Sequence, residues 1–178
     1  MSLVEQWKYE LCYERSNYRM GRGRLQYTAE DINSMSAGLT YLDVGCGRGE
    51  TLDRAESIGL ICTGIETVPD LCDGKRVIHG DACDLPFEDG AFHYVSCYDV
   101  VEHLPPGEEQ QALDELRRVC SGVFFLSTND KPSFLDGIDL HVNKRPAKDW
   151  DADIRARWGN VIFTKQPPHG DWHWRCEP

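Results

Sequence analysis

Tyr41-Leu42-Asp43-Val44-Gly45-Cys46-Gly47-Arg48-Gly49-Glu50 is the stretch on which the reading of this chain turns. Thr40–Val44 is a short apolar strand, and the glycines at 45, 47 and 49 end it in a tight turn whose backbone can approach a ligand closely. Leu52, Ala55 and Ile58 then mark one face of a helix that stops at Gly59. A nicotinamide site of the form G-x-G-x-x-G would place its third glycine at position 50, which is Glu50. A phosphate loop would continue as Gly-Lys-Ser/Thr, which is absent. Glu50 in the first helical turn and Asp43 before the glycines would both repel a pyrophosphate. The turn suits a ligand without phosphates that carries a cationic amino group.

Outward from this turn the chain alternates strand and helix. Further strands are expected at Ile61–Ile65, Arg76–His79, Phe92–Tyr98 and Val123–Ser127. The best signalled helix has Glu108 and Glu109 in its first turn and Arg117 and Arg118 in its last, which complements the helix dipole. Its buried face is Ala112, Leu113, Leu116, Val119 and Cys120. Ala147, Trp150, Ile154 and Trp158 line another helix ending at Gly159. Val161–Thr164 and Trp172–Arg175 read as a closing hairpin around Pro167-Pro168-His169-Gly170. Thr67 to Lys75 is too short for a full helix, so the connection between the second and third strands is cut to a turn. Repeated β–α units predict an α/β fold with a doubly wound parallel sheet covered on both faces. Ligands on such sheets bind beyond the carboxyl ends of the strands. Upstream, Leu3, Val4, Trp7 and Leu11 fall at helical spacing. A Gly-Arg-Gly-Arg loop at 21–24 follows, and Thr28 with Asp31 resembles a capping box opening a second short helix.

The 178 residues are enough for one domain with a real core, and 28% of them are charged. The net charge of −11 argues against a large nucleic-acid partner, because such binding rests on neutralising phosphates. Arg15, Arg19, Arg22 and Arg24 form the single basic cluster, read as a solvated loop. Eight cysteines (12, 46, 62, 72, 83, 97, 120 and 176) include no C-x-x-C pair and fit no zinc pattern, so reduced and mostly buried thiols are expected. No run approaches a membrane span. The opening Met1-Ser2-Leu3-Val4-Glu5 lacks the regions of a signal peptide, and a cytoplasmic location is expected.

The strand ends carry the candidate chemistry. Glu66, followed by Thr67, ends the second strand, where a carboxylate can accept both hydroxyls of a ribose. Gly80-Asp81-Ala82 follows the third; the acid can accept from an adenine amino group while the Ala82 N–H donates to the ring. The fourth ends in Tyr98-Asp99-Val100-Val101-Glu102-His103. His103 is a natural general base, with a histidine that caps the next helix as the alternative. His141 is a second base candidate, in a segment with Asn143. No metal site is expected, since a Glu-His neighbour pair is too common to define one.

Tyr41–Gly49, Gly64-Ile65-Glu66, Gly80–Phe87 and Asp99–His103, in this order and spacing, resemble the successive motifs of class I S-adenosylmethionine-dependent methyltransferases. They are most similar to the small-molecule branch that includes the ubiquinone-biosynthesis O-methyltransferases. The resemblance implies S-adenosyl-L-methionine (SAM) as cofactor and S-adenosyl-L-homocysteine as product. It implies that Asp43, Gly45, Cys46 and Gly47 surround the methionine part, that Glu66 and Thr67 lie at the ribose, that Asp81 and Ala82 hold adenine, and that Tyr98 sits near the amino acid moiety and methyl group. It further implies a Rossmann-like seven-stranded sheet of order 3-2-1-4-5-7-6 with strand seven antiparallel. Residues 1–39 would be a helical cap and 40–178 the SAM-binding domain, as one structural domain. No long insertion follows the fifth strand, so the acceptor must be covered by residues 1–39, by Asp130–Arg145 or by a partner.

Methyl transfer from a sulfonium mainly needs alignment, which can supply roughly 7–11 kcal/mol; a base matters for a hydroxyl or a protonated amine. The expected acceptor is an O or N atom of a small molecule, glycan or peptide. The alternatives are a non-catalytic SAM-binding module that needs a partner, and an enzyme acting on a nucleotide or nucleic acid. Adenine and cytosine-N4 enzymes resemble one another in an Asn/Asp-Pro-Pro-aromatic motif, where this chain has Tyr98-Asp99-Val100-Val101, and no Pro-Cys pair of a cytosine-C5 enzyme occurs. The sequence leaves the oligomeric state open.

Overall fold

The computed structural model of the chain describes residues 3–15, 22–166 and 171–177. In chain order these form α1 (Leu3–Arg15), α2 (Arg22–Asn33), β1 (Thr40–Val44), α3 (Glu50–Ser57), β2 (Ile61–Glu66), β3 (Val77–His79), β4 (Phe92–Tyr98), α4 (Glu108–Val119), β5 (Cys120–Thr128), β6 (Phe134–Leu135), β7 (Ile138–Asp139), α5 (Ala147–Arg155), β8 (Asn160–Gln166) and β9 (Asp171–Glu177). β1 and β4 are buried along nearly their whole length, as strands covered on both faces must be. They sit at the centre of a seven-stranded sheet of order β3-β2-β1-β4-β5-β9-β8. The first five strands are parallel, while β9 is antiparallel to both β5 and β8. β6 and β7 form a separate small hairpin. Counted within the large sheet, the order is the expected 3-2-1-4-5-7-6 with the seventh strand antiparallel.

Each face of the sheet has its own core. On one, Leu113, Leu116 and Val119 of α4 pack with Trp150 and Ile154 of α5, and Trp158 stacks on Phe124 with ring centroids 4.5 Å apart. On the other, Leu52 and Ala55 of α3 and Ile32 of α2 pack against Tyr41, Tyr94 and Phe125. The amphipathic stripes of α3, α4 and α5 read from the sequence are therefore the surfaces that cover the sheet.

The structure corrects the sequence reading in several places. Arg22–Arg24 belong to α2 and not to a loop, and Thr28 and Asp31 lie within that helix rather than opening it. Asp31 is buried because it serves distant partners: Tyr98 Oη donates to its Oδ2 at 2.8 Å, and His173 Nε2 lies 2.8 Å from the same oxygen. In α1, Trp7 is 51% exposed while Cys12 is buried, so the inner face is offset from the one that Trp7 suggests. The third strand starts at Val77, and the second-to-third connection holds one 3-10 turn, Pro69–Leu71. Arg19 and the hairpin tip at 167–170 lie outside the described residues. Among the described residues no helix is long and apolar enough to cross a membrane.

Candidate active site

β1, β2 and β4 end together at one edge of the sheet. The turn after β1 hangs from β2 by two hydrogen bonds, Gly45 N–H to Ile65 O at 2.8 Å and Cys46 N–H to the same oxygen at 3.1 Å. Gly45 has φ +75°, and a Cβ there would stand 2.3 Å from Val100 Cγ2. At Gly47, φ +55°, a Cβ would stand 2.6 Å from the Tyr13 hydroxyl of α1. Only glycine permits this fold of the turn and these close approaches. Above the turn opens a cleft of about 980 Å³, counted to its mouth. Its walls are Val44–Arg48 and Glu50, Ile65–Thr67, Gly80–Ala82, Tyr98–Val100, His103, Leu104, and Tyr9 and Tyr13 from α1.

Two carboxylates lie at or beneath this edge. Glu66 Oε1 accepts the N–H groups of Thr67 at 2.8 Å and Val68 at 3.1 Å, and its Oε2 accepts that of Gly47 at 2.8 Å. Burial raises its pKa, and the three N–H groups pull the other way. Two donors fill Oε1, while Oε2 retains room for one more. Asp43 does not line the cleft. It is buried beneath the turn, where Ser96 Oγ donates to Oδ1 at 2.6 Å and Tyr41 Oη lies 2.6 Å from Ser96 Oγ. Burial, and then the charge of Glu66, push the Asp43 carboxyl up to about 7, against the hydrogen bond from Ser96.

The other expected residues fall as follows. Gly45, Cys46, Gly47, Glu66, Thr67, Asp81, Ala82 and Tyr98 all line the cleft. Asp81 Oδ1 accepts the Cys83 N–H at 3.0 Å, which shapes the turn after β3. Tyr98 offers the cleft its ring, since its hydroxyl is directed to Asp31. His103 lies in the wall and His141 packs edge-on against it, with ring centroids 4.5 Å apart. Both imidazoles are buried. Tyr9 also packs edge-on against His103, with ring centroids 5.3 Å apart.

Several wall residues escaped the sequence reading, Tyr9, Tyr13 and Asp99 among them. Tyr9 and Tyr13 stand four residues apart, hence on one helical face, a signal that was present but overshadowed by Trp7. Asp99 is buried with φ +53°, a left-handed conformation uncommon for a non-glycine residue; its N–H donates to Ser127 O at 2.9 Å. Nothing in the local sequence announces it.

Residues 42–125 match the methyltransferase domain family. A protein of Mycolicibacterium smegmatis named as an S-adenosylmethionine-dependent methyltransferase is 27% identical over 136 residues, 71% of this chain and 51% of that one. Demethylmenaquinone methyltransferase of Staphylococcus aureus is 34% identical over 95 residues, 46% of this chain and 39% of that one. The chain thus spans about half or less of the length of these curated relatives. Among solved structures, a chain from the Haloferax volcanii complex between the Trm112 methyltransferase activator and a methyltransferase superposes with a TM-score of 0.74. The match covers 99% of this chain and 98% of that one at 14% identity, a likeness of fold alone. Residues 42–125 thus match a methyltransferase domain, and the relatives that the chain resembles include a protein named as SAM-dependent.

Proposed function

We propose that this chain transfers the methyl group of SAM to an O or N atom of a small-molecule, sugar or peptide acceptor, and that a hydroxyl is the preferred group. The observation that carries the reading is a single cleft with two unlike ends. One end is a glycine turn with Glu66 beside it and Asp43 buried beneath it; the other has His103 in the wall, with His141 packed against its ring. In this reading Gly45, Cys46 and Gly47 enclose the methionine part, Glu66 Oε2 takes a ribose hydroxyl with Thr67 beside it, and Asp81 and Ala82 meet adenine. Tyr98 supplies a wall near the methyl group. Asp43 acts from below, through its field on the cationic amino group and sulfonium. Residues 1–39 form the cap, with Tyr9 and Tyr13 facing the ligand, and 40–178 form the SAM-binding domain.

His103 and His141 serve the acceptor. His103 Nδ1 lies 2.9 Å from Leu140 O and His141 Nδ1 lies 2.6 Å from Lys131 O. A carbonyl oxygen only accepts, so both rings carry their proton at Nδ1 and, when neutral, a basic lone pair at Nε2.

Calorimetric titration of SAM and S-adenosylhomocysteine into wild type and Glu66→Ala tests the cofactor assignment. Micromolar binding that is lost in the variant is expected; absence of binding to the wild type would overturn it. Turnover of an acceptor panel by the purified chain then tests catalysis. A second reading, catalysis only with an activating partner, draws support from the Haloferax neighbour and its Trm112 activator. It predicts tight SAM binding without turnover until a partner is added.

A further inference from the structure

The seven-stranded sheet ends in two unlike edges. β3 is three residues long, follows the basic pair Lys75-Arg76 and ends in His79. Shortness and flanking charge are devices that keep an edge from pairing with another chain. β8 lacks both. It runs for seven residues, Asn160-Val161-Ile162-Phe163-Thr164-Lys165-Gln166, with no proline, no acid and one lysine. Its register with β9 is unbroken over all seven positions, so no bulge turns the strand away. Among the described residues no strand lies on its outer side.

Both faces of this edge are apolar at its middle. Val161 packs on the core that α4 and α5 cover, and Phe163 lies on the same face, its ring centroid 5.0 Å from that of Trp174. Ile162 points to the opposite face, as strand alternation requires. Ile162 is 51% exposed and Phe163 40%, and Thr164 is exposed beside them. Such an edge is completed by another strand, which supplies N–H and C=O groups along its length and side chains on both faces. The sequence of β8 fits its own reverse. Antiparallel pairing about Phe163 sets Asn160 against Gln166, Val161 against Lys165, Ile162 against Thr164 and Phe163 against its own copy. All seven positions are then paired, and no charged residue stands opposite another. With one lysine and no acid, the edge offers an unlike partner little charge to recognise. A two-fold pairing uses the one patch twice and closes on itself.

We propose that β8 is the docking edge for a second copy of this chain, paired antiparallel about Phe163 so that two seven-stranded sheets join into one. The proposal stands apart from the methyltransferase reading. One strand pair and the side chains beside it make an interface at the small end of specific pairs, so association should be weak and reversible. The pairing lies away from the cleft but bears on what holds α2. Thr164 Oγ1 lies 3.4 Å from His173 Nδ1, His173 Nε2 lies 2.8 Å from Asp31 Oδ2, and that oxygen accepts the Tyr98 hydroxyl. Each copy thus braces the strand pair, β8 and β9, to which the other copy's α2 is fastened.

Sedimentation equilibrium of the reduced chain over a range of concentrations is the test, and a monomer–dimer equilibrium is expected. Phe163→Lys and Phe163→Glu each set like charges against each other at the centre of the pair. Each should raise the dimer dissociation constant at least about tenfold, through repulsion and lost apolar burial together. An equimolar mixture of the two should recover a dimer, because lysine then faces glutamate. Melting curves establish that the variants are folded. Ile162→Lys, on the face away from Trp174, is the second variant should the Phe163 pair fail to fold, and it should weaken association likewise. A monomer at every concentration would overturn the proposal and leave the edge to an unlike partner. A dimer indifferent to all three substitutions, or folded Phe163 variants whose mixture stays monomeric, would overturn it as well.

Discussion

The two ends of the cleft are built in different ways. At the carboxyl ends of β1 and β2 the wall is mostly backbone: a glycine turn hung from Ile65, with Glu66 gripped by three N–H groups. At the end beyond β4 the wall is side chains drawn from separate segments, Tyr9 from α1 and His103 after β4, with His141 from before α5 packed behind His103. A backbone wall is sensitive to any added Cβ and to loss of the acid that gathers its N–H groups. A side-chain wall is sensitive to each member, and losing one need not disturb the cofactor. Mutations at the two ends should therefore separate binding from turnover.

The largest effect is expected at the acceptor end. His103→Ala and His141→Ala should each lower turnover at saturating SAM by about 10²–10⁴-fold, with little change in the dissociation constant for SAM. Unchanged rates in both would remove the histidines from the chemistry. At the other end Glu66→Ala strands buried N–H groups and should weaken SAM by roughly a hundredfold, since each orphaned donor costs about 1–3 kcal/mol; calorimetry measures it. Gly45→Ala forces a side chain to φ +75° and against Val100. It should cost about 1–3 kcal/mol in urea unfolding from backbone strain alone, and it should weaken SAM as well. SAM affinity equal to that of the wild type in both variants would erase the distinction between the ends.

The smallest effect is a pH dependence at Asp43. Its folded carboxyl titrates at about 7 against an ordinary value of 3.8, so between these values the folded chain holds a proton that the unfolded chain has released. That preference stabilises the apo-protein most below pH ~4 and is lost as the pH rises through about 7. Affinity for cationic SAM should run the other way, rising as Asp43 ionises. Asp43→Asn should flatten both profiles, seen in melting curves and titrations from pH 5 to 8. Profiles unchanged by the substitution would assign the dependence elsewhere.

How much of this could be read beforehand follows from the same contrast. The cofactor end is local in sequence, since Gly45, Glu66, Asp81 and Tyr98 all stand within a residue or two of a strand end. Strand periodicity therefore placed them, while the sheet order came from the resemblance of the successive motifs. The acid before the glycines was harder, because Asp43 looks the same whether it faces a ligand or lies beneath the turn. The acceptor end is long-range. His141 meets His103 only because the loop after β5 folds back, and no local pattern encodes that return. Asp31 was misread for a related reason. Thr-x-x-Asp fits a helix start as well as a helix interior, and the partners that decide between them, Tyr98 and His173, are 67 and 142 positions away.

That last pair has a consequence for the nascent protein. Synthesis delivers α2 well before residue 173, so the latch between them cannot shut while the ribosome is still making the strands between. The sheet edge that holds the glycine turn can assemble from residues already made. A chain still in translation would thus own its glycine turn before α2 is pinned to β9.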